Sequence, residues 1–201
     1  MRVIAGTLRG RTIDVPRSGR VRPTYDRVRE SVFAIIEPRL EGASVLDLFA
    51  GSGSLGIEAL SRGARRATFV EIDRGVARVV ERNLERLGVS GSSDLRLGDA
   101  LRTIEFPLPG APFDVVFVDP PYESGLRRRA LAALAESGRL VKRSLVVVER
   151  PAGDEPPDAP EGLELLRTRR YGSTAVDFYR TSESGERPDS QPQATSIKEV
   201  P

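Results

Sequence analysis

The run Asp47-Leu48-Phe49-Ala50-Gly51-Ser52-Gly53-Ser54-Leu55-Gly56 constrains this chain more than any other stretch. It follows apolar Val45-Leu46 and leads into Ile57-Glu58-Ala59-Leu60-Ser61-Arg62, with Gly63 beyond. That pattern predicts a buried strand, a glycine-rich turn and a short helix. The glycines allow positive φ and a close backbone approach to a ligand, and the helix N-terminus offers unpaired N–H groups. Gly51, Gly53 and Gly56 also satisfy the spacing of a dinucleotide-binding fingerprint, with the acid Glu71 20 residues after Gly51.

Asp47 argues for a different ligand. A carboxylate at the strand end is ill-placed beside a pyrophosphate, because like charges in a partly buried crevice repel. It suits a ligand that carries a cation, such as the ammonium and sulfonium of S-adenosylmethionine. Phe49, Ala50, Gly51, Ser52 and Gly53 are then the turn that faces this cofactor. Glu71 and Asp99 end the next two predicted strands and Asp119 a fourth. Ligands of an open parallel sheet bind at the carboxyl ends of its strands, so four acids there line one crevice. Asp47 is expected to face the methionine end, Glu71 the ribose hydroxyls and Asp99 the adenine amino group. Ile72 and Ala100 supply apolar contact to the adenine faces. A single loop-start acid is often only a helix cap.

Asp119-Pro120-Pro121-Tyr122 supplies the chemistry. Two prolines in a row make a stiff, extended turn that holds the Pro120 carbonyl outward. The exocyclic amino group of a base is a poor nucleophile because its lone pair is delocalised into the ring. Asp119 and the Pro120 carbonyl can accept its two hydrogens and bias the nitrogen towards tetrahedral geometry. Tyr122 offers a stacking face worth ~1–3 kcal/mol. A sulfonium is already an activated donor, so alignment, worth roughly 7–11 kcal/mol, matters more than acid–base help.

Composition agrees with such a site. The 201 residues contain no His and no Cys, which excludes disulfides, thiolate nucleophiles, His bases and nearly all zinc sites. No metal is expected. Lys and Arg total 31 against 29 acids, yet residues 1–39 hold nine Arg and only four acids. A basic N-terminal end suits a polyanion such as RNA or DNA, or is simply a solvated Arg-rich surface. With no long apolar run and no signal-peptide layout, a soluble cytoplasmic protein is expected.

In chain order, residues 2–15 read as two short strands around a turn at Thr7-Leu8-Arg9-Gly10. A helical pattern then follows Thr24, with Thr24 or Asp26 as its cap. From Ala43 the order β-α-β-α-β-β-α-β predicts a parallel sheet covered on both faces. Leu163–Thr168 and Ala175–Tyr179 read as an antiparallel pair at one sheet edge. The expected organisation is an appendage over 1–41, a main domain over 42–180 and a disordered tail over 181–201.

Asp-Pro-Pro-Tyr together with the glycine-rich run resembles methyltransferases that act on the amino groups of bases. Arg2-Val3-Ile4-Ala5-Gly6, the segment from Arg22-Pro23-Thr24-Tyr25 to Phe33, Glu58-Ala59-Leu60-Ser61-Arg62-Gly63-Ala64 and Arg170-Tyr171-Gly172 narrow it. Across about residues 1–180 the chain resembles the RsmD family, bacterial methyltransferases of a guanine N2 in 16S ribosomal RNA. The resemblance implies a Rossmann-like α/β sheet of class I S-adenosylmethionine-dependent methyltransferases, mostly parallel with an antiparallel C-terminal hairpin. It also implies action on the assembled small subunit, by a monomer, with Thr24 closing over the methionine end of the cofactor. Arg9, Arg11, Arg20 and Arg22 would face the RNA. The Asp-Pro-Pro-Tyr chemistry itself serves adenine N6 of DNA equally well. An NAD(P)-dependent oxidoreductase fits Asp47 and Asp119 poorly, and a non-catalytic RNA-binding module would have no use for an intact cofactor crevice.

Overall fold

The structure, a computed structural model, describes residues 1–16, 23–121 and 124–182. Its centre is a seven-stranded sheet of β1 (Ser44–Asp47), β2 (Arg66–Glu71), β3 (Ser93–Leu97), β4 (Phe113–Val118), β5 (Leu140–Pro151), β6 (Leu163–Tyr171) and β7 (Thr174–Thr181). The spatial order is β3-β2-β1-β4-β5-β7-β6, with the first five strands parallel and β7 antiparallel to both neighbours. The helices are α1 (Pro23–Ile36), α2 (Ser54–Ser61), α3 (Arg74–Leu87), α4 (Ala100–Glu105) and α5 (Ser124–Glu136).

The central strands are apolar on both faces because both faces are covered. Val45, Phe69, Phe117, Val147 and Phe178 pack with Val32 and Phe33 of α1, Ile57 of α2 and Val80 of α3. Leu46, Val70, Val116, Val118 and Val148 pack instead with Ile104 of α4 and Leu131 and Leu134 of α5. The strand order reverses between β1 and β4, the position where such sheets open a crevice at their carboxyl edge.

Several sequence expectations are corrected. Residues 2–15 form one antiparallel bridge, Arg2 to Thr12, rather than two strands. The N–H groups of Ile4 and Ala5 leave the ladder and donate to the buried Glu58 carboxylate at 2.8 and 3.0 Å. The first helix begins at Pro23, which puts Thr24 and Asp26 inside its first turn and not at its cap. Helix α4 escapes sequence reading because six residues show no usable period. Strand β5 begins at Leu140, where sequence periodicity extends the preceding helix; Gly138, at φ +66°, separates the two elements. Thr181 belongs to β7, and the Ser182 N–H donates to the Gly162 carbonyl at 2.9 Å, so the sheet extends into the expected tail. Residues 183–201 of that tail lie outside the described residues.

Candidate active site

Strand register gathers the acids. Asp47 lies opposite Phe69 and Phe117, and Phe117 lies opposite Val147. Two residues beyond those partners come Glu71, Asp119 and Glu149. Strand alternation therefore turns all four acids to the α1 side of the sheet, at its carboxyl edge.

Asp47 is buried, and its Oδ2 accepts the Gly56 N–H at 3.1 Å. Burial pushes its pKa up to about 8; the Gly56 bond opposes the rise, while Asp119 and Glu71 add to it. Glu71 accepts from the Gly51 N–H through Oε2 and from the Asp73 N–H through Oε1, each at 2.9 Å. It thereby clamps the glycine-rich turn to the start of α3. Gly51 and Gly53 both have positive φ, +54° and +80°. A Cβ on Gly56 would lie 2.3 Å from a Phe69 ring carbon, so this glycine lets α2 rest on β2.

The remaining expected residues fall around this centre. Ile72 is 68% exposed and a suitable contact for a flat ring. Asp99 caps α4, with Oδ1 accepting the Arg102 N–H at 2.9 Å, and Ala100 is buried behind it. Phe49 and Ser52 are half-buried and Ala50 is buried, its N–H donating to the Val70 carbonyl at 2.9 Å. Asp119 is half-buried, Pro120 buried and Pro121 exposed. Tyr122, Arg20 and Arg22 lie outside the described residues, as does the side chain of Thr24. Arg9 and Arg11 are exposed, and Arg11 Nη2 donates to the Arg86 carbonyl at 2.8 Å.

A narrow cleft opens beside Asp119. Val28, Arg29 and Val32 of α1 roof it, and Phe117, Val147 and Glu149 form its floor. Arg29 fixes the roof to the N-terminal segment, donating to the Arg2 carbonyl at 2.5 Å and pairing with Asp26 at 3.1 Å. Sequence reading passed over Glu149 and Arg29. The available signal was that the fifth parallel strand also ends in an acid. Among the described residues no cluster of His, Cys, Asp or Glu is arranged to hold a metal ion, and no helix is long and apolar enough to cross a membrane.

Such a sheet, with its glycine-hinged acidic edge, defines a methyltransferase on a Rossmann-like fold. The chain belongs to the family described as conserved hypothetical protein 95, whose model matches residues 1–180. It is similar to ribosomal RNA small subunit methyltransferase D of Escherichia coli K12, 38% identical over 186 residues and 92% of each chain. The Haemophilus influenzae protein of that name is 39% identical over 181 residues, 90% of this chain and 93% of its own. The solved structure of YhhF from Escherichia coli has a TM-score of 0.80 at 36% identity, covering 90% of this chain and 97% of that one. The motif resemblance to this family is therefore borne out.

Proposed function

We propose that this enzyme methylates the exocyclic N2 of a guanine in 16S ribosomal RNA, on the assembled small subunit in the cytoplasm. The observation that carries the reading is the row of carboxylates Asp47, Glu71 and Asp119 on one face of the sheet's carboxyl edge. That set fits S-adenosylmethionine. Asp47 is a buried acid that regains its charge beside a cation, Glu71 is an acceptor already held by two backbone amides, and Ile72 is an exposed apolar platform. The bound cofactor supplies a methyl group activated on a sulfonium.

The chain's own residues then align and relieve charge. Asp119 and the Pro120 carbonyl take the two amino hydrogens, and Tyr122 stacks on the base. A bound sulfonium would supply the methyl group and keep the electron pair of the broken C–S bond. The nitrogen sheds its extra proton to Asp119 and from there to water. Thr24 closes over the methionine end, and Asp99 and Ala100 border the adenine.

Residues 1–41 are proposed as the RNA-facing appendage, with Arg9, Arg11, Arg20 and Arg22 towards phosphates. The enzyme is proposed to act as a monomer without metal. The names of the 38–39% identical relatives favour ribosomal RNA over adenine N6 of DNA.

The test incubates labelled S-adenosylmethionine with small subunits lacking their own modification, beside naked 16S RNA and plasmid DNA. Label in N2-methylguanosine from the particles is expected. Label in N6-methyladenine from DNA would overturn the substrate while keeping the cofactor site.

A further inference from the structure

Glu149 has no part in the chemistry just described, yet it borders the same cleft as Asp119. The pairing of Val118 with Val148 sets the two acids side by side on neighbouring strands. On its other flank Glu149 faces apolar Val176 of β7. The cleft is otherwise walled by Val28, Val32 and Phe117, with Arg29 committed to Arg2 and Asp26. Glu149 is half-buried near the end of β5, on the border of this cleft. Burial, and then the negative charge of Asp119, push its pKa up to about 9, so the group keeps its proton at neutral pH. A protonated carboxyl offers one donor and one acceptor next to each other. A base edge that enters the cleft beside Asp119 meets both groups.

We propose that Glu149 reads the Watson–Crick edge of the target base beside Asp119, accepting from guanine N1–H and donating to guanine O6. This rests on the guanine-N2 reading above and deepens it. With the amino group held at Asp119, guanine presents N1–H and O6 in sequence along that edge. Adenine, held by its N6, presents N1 and then a C–H, so one atom of the acid is left without a partner. A site built to pair with a polar group rejects an analogue that lacks it far better than an apolar pocket rejects a wrong shape. Glu149 is thus a specificity-determining residue for a reaction whose Asp-Pro-Pro-Tyr chemistry does not itself choose the base.

The test compares wild type, Glu149→Gln and Glu149→Leu on unmodified small subunits, with 2-aminopurine at the target position as a second substrate. That analogue keeps the amino group and lacks both O6 and the N1–H. The wild type is expected to prefer guanine by roughly 10–100-fold in kcat/KM. Glu149→Gln, which keeps one donor and one acceptor, should stay within a few-fold of wild type. Glu149→Leu should lose the preference while its affinity for S-adenosylmethionine is unchanged. A wild type that methylates both bases equally would overturn the role of Glu149 without recourse to any variant. A Gln variant as impaired as Leu, or a Leu variant that keeps the preference, would overturn it too. If the wild type yields no N2-methylguanosine at all, the functional reading itself fails, and this inference with it.

Discussion

The Asp47 carboxylate accepts a hydrogen bond from the Gly56 N–H at 3.1 Å, tying the end of β1 to the first turn of α2 across the glycine-rich loop. That bond, with those of Glu71 and Asn83 to the turn, fixes the loop and leaves Asp47 otherwise surrounded by burial and by two like charges. The residue is therefore poised to answer a cation.

With its pKa raised to about 8, Asp47 holds a proton in the free protein at neutral pH. Binding a cation beside it favours the ionised form, so cofactor binding should release up to one proton. Affinity for S-adenosylmethionine should rise close to tenfold per pH unit below about 7 and fall again above about 8, where the cofactor's own ammonium loses its proton. Titration calorimetry in buffers of different ionisation enthalpy measures both quantities. The stability consequence has the opposite sign. A raised folded pKa contributes stability below the unfolded value near 3.8, and that contribution is lost as pH rises through 8. Asp47→Asn should therefore melt higher than wild type above pH 8, and no higher near pH 4.

Gly6 anchors the N-terminal segment. Its φ is +80°, and a Cβ there would lie 1.8 Å from the Ser61 carbonyl oxygen, which accepts the Thr7 N–H at 2.8 Å. Gly6→Ala should cost about 3 kcal/mol or more in urea unfolding, from a clash with backbone that cannot yield. Gly10 has a similar φ of +78° with nothing within 4 Å of a Cβ. Gly10→Ala should lose only the left-handed strain, roughly 1 kcal/mol. Equal losses at the two positions would contradict the docking of Gly6 on Ser61.

The parallel core was legible because Val45-Leu46, Val115 to Val118 and Leu145 to Val148 are continuous apolar runs, each leading to an acid. The acids mark the carboxyl edge in sequence as they do in space. The N-terminal unit was less legible because its polar partners are distant in sequence: Glu58 replaces a strand for Ile4 and Ala5. Asn83 is similar, appearing in sequence as one position on a helix face. In the fold it is buried, and its side chain bonds Asp14 and the Ser52 carbonyl, linking the N-terminal segment to the glycine-rich turn. Glu149 shows in sequence as one more strand-end acid, but its place beside Asp119 lies in the β4–β5 register, which no local pattern encodes.

Arg9 and Arg11 are exposed on the N-terminal unit. If they meet phosphates, replacing both with Gln should weaken binding to small subunits and make its dependence on log salt shallower by roughly 1.5. Filter binding across a salt series measures the slope. An unchanged slope would return the pair to an ordinary solvated surface.

The most direct measurement is single-turnover methyl transfer from S-adenosylmethionine to unmodified small subunits, comparing wild type with Asp119→Ala. Asp119 is the acid meant to hold the amino group, and the donor needs no acid–base help. Loss of that orientation should slow transfer by at least roughly 100-fold, while cofactor affinity stays within a few-fold of wild type. A variant that transfers methyl groups at the normal rate would contradict the central role given to the Asp119 edge.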